Sequence, residues 1–390
     1  MRIKRLVLCV GELEPLNYFS RQIEMAAKDA GLETYVINTK YPETYRGRAL
    51  DDFCSRGDCI AVFFNQIGIM LSADSGENYW DSMDIPVYTM QVDHPRNFAD
   101  ALRDPIKQLH VLSIDKKHID FIRSFFPKVE NVYFLPQGGA PESDRDSLKK
   151  ISDRPIEILY TGSCHQAIEA FPPIGGLPSN GMDMYDFAIS LMLADPLYTT
   201  EEAIELYFMS KGYTLPRDQL LSLYTSVSIY VESYVRREWK FKTMEALDKA
   251  GFHVEIYGDH WKASDHPLSD NIVIHDRISS AECNRLMGLS RFTLNFIPWF
   301  KDGTSERPFN SMLNGSVCLI DKSKYLTERF IDGRELIFFD LTAPDELVSK
   351  LKDYMNSPEK LQLIADAGYN TAYSNDTWKN RLERILEFEN

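Results

Sequence analysis

Short apolar, β-favouring runs alternate with helix-length stretches along most of this chain. Residues 6–10 (Leu-Val-Leu-Cys-Val) are such a run, closed by Gly11. Residues 19–30 then place apolar side chains at helical spacing and stop at Gly31, where a helix-terminating glycine is expected. Residues 34–38 predict a second strand. Residues 59–65 (Cys-Ile-Ala-Val-Phe-Phe-Asn) are almost wholly apolar, the pattern of a strand covered on both faces. Residues 87–92, 109–114 and 131–136 continue the series. Strands separated by helix-length segments predict βαβ units and a parallel sheet.

A polar stretch rich in Gly, Pro, Asp, Ser and Lys, residues 138–155, interrupts this series and predicts a domain boundary. A second series follows at 157–160, 253–257, 272–275, 292–296, 317–321 and 336–339. The expected architecture is α/β, with two doubly wound domains over residues 1–150 and 151–374. One stretch breaks the alternation. Between Gly162 and Tyr230 no strand is evident. Gly175, Gly176, Pro178 and Gly181 mark a loop, and residues 183–193 and 201–211 read as helices. We read residues 165–230 as a helical insertion. The chain closes, over 375–390, with an amphipathic helix carrying Trp378, Leu382, Ile385 and Leu386 on one face. The pattern does not say what that face packs against.

Composition narrows the function classes. The length of 390 residues suits two domains, and the net charge of −15 disfavours nucleic acid and anionic lipid as partners. The six cysteines form no metal-type pair, and the eight histidines form no ligand motif, so no metal is expected. No apolar run reaches 18 residues, and the expectation is a soluble, cytoplasmic protein. Neither a Gly-x4-Gly-Lys-Ser/Thr loop nor a Gly-x-Ser-x-Gly elbow occurs.

Residues 302–321 are the most informative. A strand feeds the loop Asp302-Gly303-Thr304-Ser305-Glu306. A helix is expected to begin near Arg307 and Pro308 and to end at Gly315, before another strand. A helix start behind a Gly-bearing loop offers free N–H groups, and Arg307 adds a planar cation suited to a diphosphate. An ordinary βα connection, with Arg307 paired to a surface carboxylate, fits the same residues equally well.

This region resembles the donor site of GT-B glycosyltransferases. More narrowly, it is similar to the CgeB-like, spore-protein branch of the group-one type. The resemblance rests on Tyr257-Gly258-Asp259-His260-Trp261, Arg307-Pro308-Phe309, Asn314-Gly315 and Trp378 with Arg381, and covers residue 157 to the C-terminus except the insertion. It implies two Rossmann-like domains facing each other across a cleft, with a nucleotide-sugar, expected to be a UDP-sugar, as donor. The family's Glu-x7-Glu pair falls on Asp302 and Asn310, which would lie near the sugar and the ribose. Gly303, Thr304, Arg307 and a basic helix start carrying Arg236, Arg237, Lys240 and Lys242 would hold the diphosphate. The loop at Arg277 and Ile278 would flank the base. Such relatives commonly stabilise the leaving group with dipoles and basic side chains, without a metal.

Further candidates come from position at strand ends. Gly162 and Ser163, after residues 157–160, and Gly258 would face the cleft, or form plain turns. Trp261 would stack on a ligand or pack. Gly11 to Glu14 would form an acceptor-side loop. Asp93 and His94 would supply a general base for an inverting transfer, or else cap and pack. Three functions remain in play: transfer of a sugar to a hydroxyl of a glycan, protein or small molecule, in bacterial glycan synthesis; epimerisation of a nucleotide-sugar; and a non-catalytic nucleotide-sugar scaffold, which Asn310 in place of Glu favours.

Overall fold

The apolar runs become twelve strands in two parallel sheets. The computed structural model describes residues 3–263 and 265–389. Six strands, β1 (Arg5–Val10), β2 (Glu33–Asn38), β3 (Cys59–Phe64), β4 (Val87–Gln91), β5 (Leu109–Ser113) and β6 (Asn131–Phe134), pair in the order β2-β1-β3-β4-β5-β6. All pairs are parallel. Every residue of β3 is buried, which accounts for its near-continuous apolar sequence. The edge strand β6 is only half-buried throughout.

The second sheet uses β7 (Ile156–Thr161), β8 (Val254–Tyr257), β9 (Ile272–His275), β10 (Ser290–Asn295), β11 (Val317–Asp321) and β12 (Ile337–Phe339) in the order β12-β11-β10-β7-β8-β9. All pairs are parallel, and the strand order reverses between β7 and β10. In doubly wound sheets the loops at such a switch point diverge and leave a crevice at the strands' carboxyl ends. The expected two-domain α/β architecture is present.

One element differs from the sequence expectation, and another gains a partner that the sequence left open. The insertion holds the expected helices, Met182–Ala194 and Thr200–Ser210, but after the turn at 211–216 its last part belongs to a helix of 33 residues, Arg217–Lys249, that continues into the second domain. No Gly or Pro interrupts those residues; Pro216 precedes them and Gly251, at φ +82°, follows. Arg236, Arg237, Lys240 and Lys242 therefore sit mid-helix, where N–H groups are already bonded within the helix. They do not form a helix start.

The closing helix, Trp378–Glu387, crosses back to the first domain. Trp378 is buried against Phe19 and Phe64, with ring centroids 5.2 and 5.6 Å away. A Cβ on Gly138 would lie 2.6 Å from the Trp378 nitrogen, so only glycine lets the linker pass beneath the helix. The linker and this helix exchange Gly139 N–H to Asp376 carbonyl and Trp378 N–H to Gly139 carbonyl bonds. The two domains are thus joined twice.

Candidate functional site

At the β7/β10 switch point lies a cavity of about 380 Å³, within the range of small-molecule sites. Its walls come from separated parts of the chain: the turn after β7, the helix Arg217–Lys249, the loop after β9, the segment after β10, and the first domain's helix Glu14–Asp29. Seven residues singled out in the sequence line it: Gly162, Ser163, Lys240, Arg277, Ile278, Arg307 and Asn310.

Local packing explains their placement. The Arg307 guanidinium lies over the turn after β7; a Cβ on Gly162 would come 2.9 Å from its Nη1. Glycine at 162 is the residue that leaves room for the cation. Lys240 Nζ donates to the Ser163 carbonyl at 2.9 Å, anchoring the same turn. Gly258 lies behind this turn rather than in the cavity, and a Cβ there would collide with the Gly162 carbonyl. Trp261 is also a support: it is 1% exposed, packs on Tyr160 and Phe241, and donates its indole N–H to the Gly162 carbonyl at 2.8 Å. It does not stack on a ligand.

The helix Arg307–Leu313 is only seven residues long. Pro308 has no N–H, and the Arg307 N–H lies 3.4 Å from Ser305 Oγ. The cation to offer here is the Arg307 side chain, more than the helix end. Glu306, whose Oε1 is 4.0 Å from Arg307 Nε, was missed in the sequence and lines the cavity. Burial pushes its carboxyl above the usual range, with Arg307 opposing. Nothing but its adjacency to Arg307 could have marked it. His165 was missed too; burial, with Lys240 and Arg236 nearby, pulls it down to about 3 and keeps it neutral. Asn310 Oδ1 accepts from the Ala140 N–H at 2.8 Å, so the group left for a ligand is its NH2.

The first domain closes one side. Glu14, from the loop expected to face the acceptor, accepts from Ser280 N and Oγ at 3.1 and 2.9 Å. Asn284 donates to the Tyr18 hydroxyl at 2.9 Å.

Other candidates are elsewhere. Asp302 forms ion pairs with Lys116 and Lys324, both at 3.3 Å, and its N–H donates to Asp115 Oδ2 at 3.1 Å. Thr304 is fully buried and its N–H is spent on the Ile114 carbonyl at 3.2 Å. Gly303 packs directly on that carbonyl and on Asp115. This loop is a seam between the domains, and none of the three residues lines the cavity. Arg237 faces away, pairing with Asp265 at 2.7 Å. Lys242 donates to the Thr342 carbonyl at 3.1 Å.

Asp93 and His94 do not line this cavity. Asp93 Oδ2 accepts from Asn65 Nδ2 at 3.0 Å. His94 Nδ1 accepts from the Arg96 N–H at 3.2 Å, capping the short turn Pro95–Phe98, so its lone pair is occupied. Burial first, then the charge of Arg96, holds His94 well below its usual pKa.

Comparison with known proteins gives the site its context. Residues 236–387 match a family model described as glycosyl transferase-like. No curated protein matches the chain by sequence. Among solved structures, an α-glucosyltransferase in complex with UDP and a 13-mer DNA containing an HMU base is 11% identical, with 99% of each chain covered and a TM-score of 0.63. Phage T4 BGT with its UDP-glucose substrate is 12% identical, covering 99% of this chain and 100% of that one, at a TM-score of 0.52. The same phage protein with UDP and Mn2+ is 11% identical over the same shares, at 0.51. The fold is GT-B. Fold and family match together support glycosyl transfer over an epimerase or an inactive scaffold.

Proposed function

We propose that the chain transfers a sugar from a nucleotide-sugar, a UDP-sugar first, to a hydroxyl acceptor, and that the switch-point cavity is the donor site. The observation that carries this is the meeting of Arg307 and Lys240 over the Gly162–Ser163 turn, in a crevice closed by the first domain. Two cations lining one half-enclosed site match a diphosphate. Arg277 and Ile278, at the end of β9, would flank the base, and the Asn310 NH2 would donate to a ribose hydroxyl. The acceptor oxygen bonds to the anomeric carbon as the carbon–phosphate-oxygen bond breaks. The bonding pair leaves with the nucleoside diphosphate, whose charge Arg307 and Lys240 offset, and the hydroxyl proton passes to a base or to water.

In this reading the side chains suffice for the leaving group, and no metal is needed. The narrower CgeB-like kinship rests on the residues around Tyr257, Arg307, Gly315 and Trp378. A cytoplasmic place in bacterial glycan synthesis fits that kinship; among the described residues no helix is long and apolar enough to cross a membrane.

The test is a thermal-shift panel of UDP, GDP, ADP, CMP and dTDP, with Mn2+ or with EDTA, beside Arg307→Ala. UDP is expected to stabilise the protein by about 2.7 kcal/mol at a hundredfold excess over its dissociation constant. The shift should be the same with EDTA and vanish in Arg307→Ala. No shift with any nucleotide at millimolar concentration would sink the donor assignment.

A further inference from the structure

A second cavity, of about 310 Å³, opens beside the first, and Trp299 walls both. Three parts of the molecule build it. The first domain contributes His94, His118 and Phe121; the insertion and its long helix contribute Glu201, Tyr224 and Glu232; the second domain contributes Trp299 and Lys301.

Its chemistry differs from that of the donor cavity. Six carboxylates line it against three cationic side chains, Lys117, Arg236 and Lys301. Those cations are engaged: Lys117 with Glu202 at 3.0 Å, Arg236 with Glu232 at 3.1 Å, and Lys301 Nζ with the Pro196 carbonyl at 2.6 Å. Behind the wall, Arg96 bridges Glu201 and Glu232 at 2.7 and 2.5 Å. Aromatic faces alternate with the acids, and the Arg236 guanidinium lies 4.1 Å from the Trp299 ring centroid. His118 also lines the cavity and is 5% exposed, while its Nδ1, which has no hydrogen-bond partner, is shielded from the cavity.

We propose that this cavity is the acceptor site and that it takes an uncharged sugar, held by carboxylates on its hydroxyls and aromatic rings on its C–H faces. The proposal rests on the glycosyl-transfer reading for the role of the occupant. Sugar hydroxyls donate to carboxylates, and apolar sugar faces lie on aromatic rings. A phosphorylated sugar or a nucleic acid strand would bring negative charge against the unpaired excess of carboxylates. The wall shared at Trp299 places an acceptor hydroxyl next to a donor sugar. The insertion then acts as the specificity element, since it provides Glu201, Glu205 and Tyr224.

Saturation-transfer NMR on the full chain tests this with UDP, methyl glucoside and glucose 6-phosphate as probes. UDP and methyl glucoside are expected to give signals, with glucose 6-phosphate at least fivefold weaker than methyl glucoside. Ser124→Trp, at a half-buried wall position, should reduce the methyl glucoside signal at least fivefold and leave the UDP signal unchanged. Asp120→Lys, at an exposed rim position, should raise the glucose 6-phosphate signal at least threefold. Equal signals from the two sugars, a methyl glucoside signal that survives Ser124→Trp, or UDP binding without methyl glucoside binding would overturn the proposal. Methyl glucoside binding without UDP binding would overturn the donor assignment and leave the sugar site standing. Silence from both would overturn both.

Discussion

The two cavities share Trp299 as a wall, yet one presents cations and the other carboxylates. In the donor cavity Arg307, Lys240 and Arg277 face Glu14 and Glu306. Among the described residues Arg277 has no ion pair, and Arg307 has only Glu306, at 4.0 Å. In the second cavity the cations are tied into pairs and carboxylates remain in excess. A chain with a net charge of −15 can thus still gather positive charge locally. Global charge sets long-range repulsion, but a bound ligand feels the charges a few ångströms away.

That contrast can be broken by single substitutions. Arg307→Ala should cause the largest loss, weakening UDP about 100-fold, in line with about 1.5–3 kcal/mol for hydrogen bonds to a charged group. Isothermal titration calorimetry measures it. Gly162→Ala should weaken UDP about tenfold while the protein stays folded, because the new methyl group displaces the guanidinium; circular dichroism beside the titration separates the two effects. Glu306→Gln should act oppositely and tighten UDP a few-fold, by removing the negative charge beside Arg307. The sign for pH follows. Burial raises the Glu306 carboxyl, so it takes up its proton at a higher pH than an ordinary carboxylate, and UDP should bind more tightly as pH falls through that titration. Glu306→Gln should flatten this dependence; an unchanged slope would place its origin elsewhere. Asp302→Asn should have the smallest effect on UDP, under about twofold. It should instead lower the melting temperature, since it weakens the carboxylate that holds Lys116 and Lys324 at the seam. A large loss of UDP affinity in Asp302→Asn would restore this residue to the donor site and break the contrast between the two ends of its loop.

Much of the lining of the switch-point cavity was legible. Gly162, Ser163, Arg277, Ile278, Arg307 and Asn310 each follow an apolar run, and a parallel sheet sends the carboxyl ends of its strands to one edge. The same reasoning failed at Asp302, Gly303 and Thr304. They too follow a strand, but the first domain reaches them first: Ile114 and Asp115 use their backbone groups. Lys240 reached the site although its helix was misread, because its position on that long helix, not a helix end, brings it to Ser163. Arg237, three residues earlier, faces Asp265 instead. Asp93 and His94 have the residue types of a base, but neither lines the switch-point cavity, and the Arg96 N–H takes the His94 Nδ1 lone pair.

Periodicity by itself determined the twelve strands, the two α/β domains, the helical insertion and an amphipathic closing helix, because burial of one face or both leaves a repeat in the chain. The tertiary structure alone decided where the closing helix docks, which loop becomes a seam, and that a second, carboxylate-lined cavity exists. Those features depend on residues far apart meeting: Phe19 with Trp378, Ile114 with Thr304, His118 beside Glu201 and Trp299. Local patterning records which side of an element is buried, and carries no record of the partner that buries it.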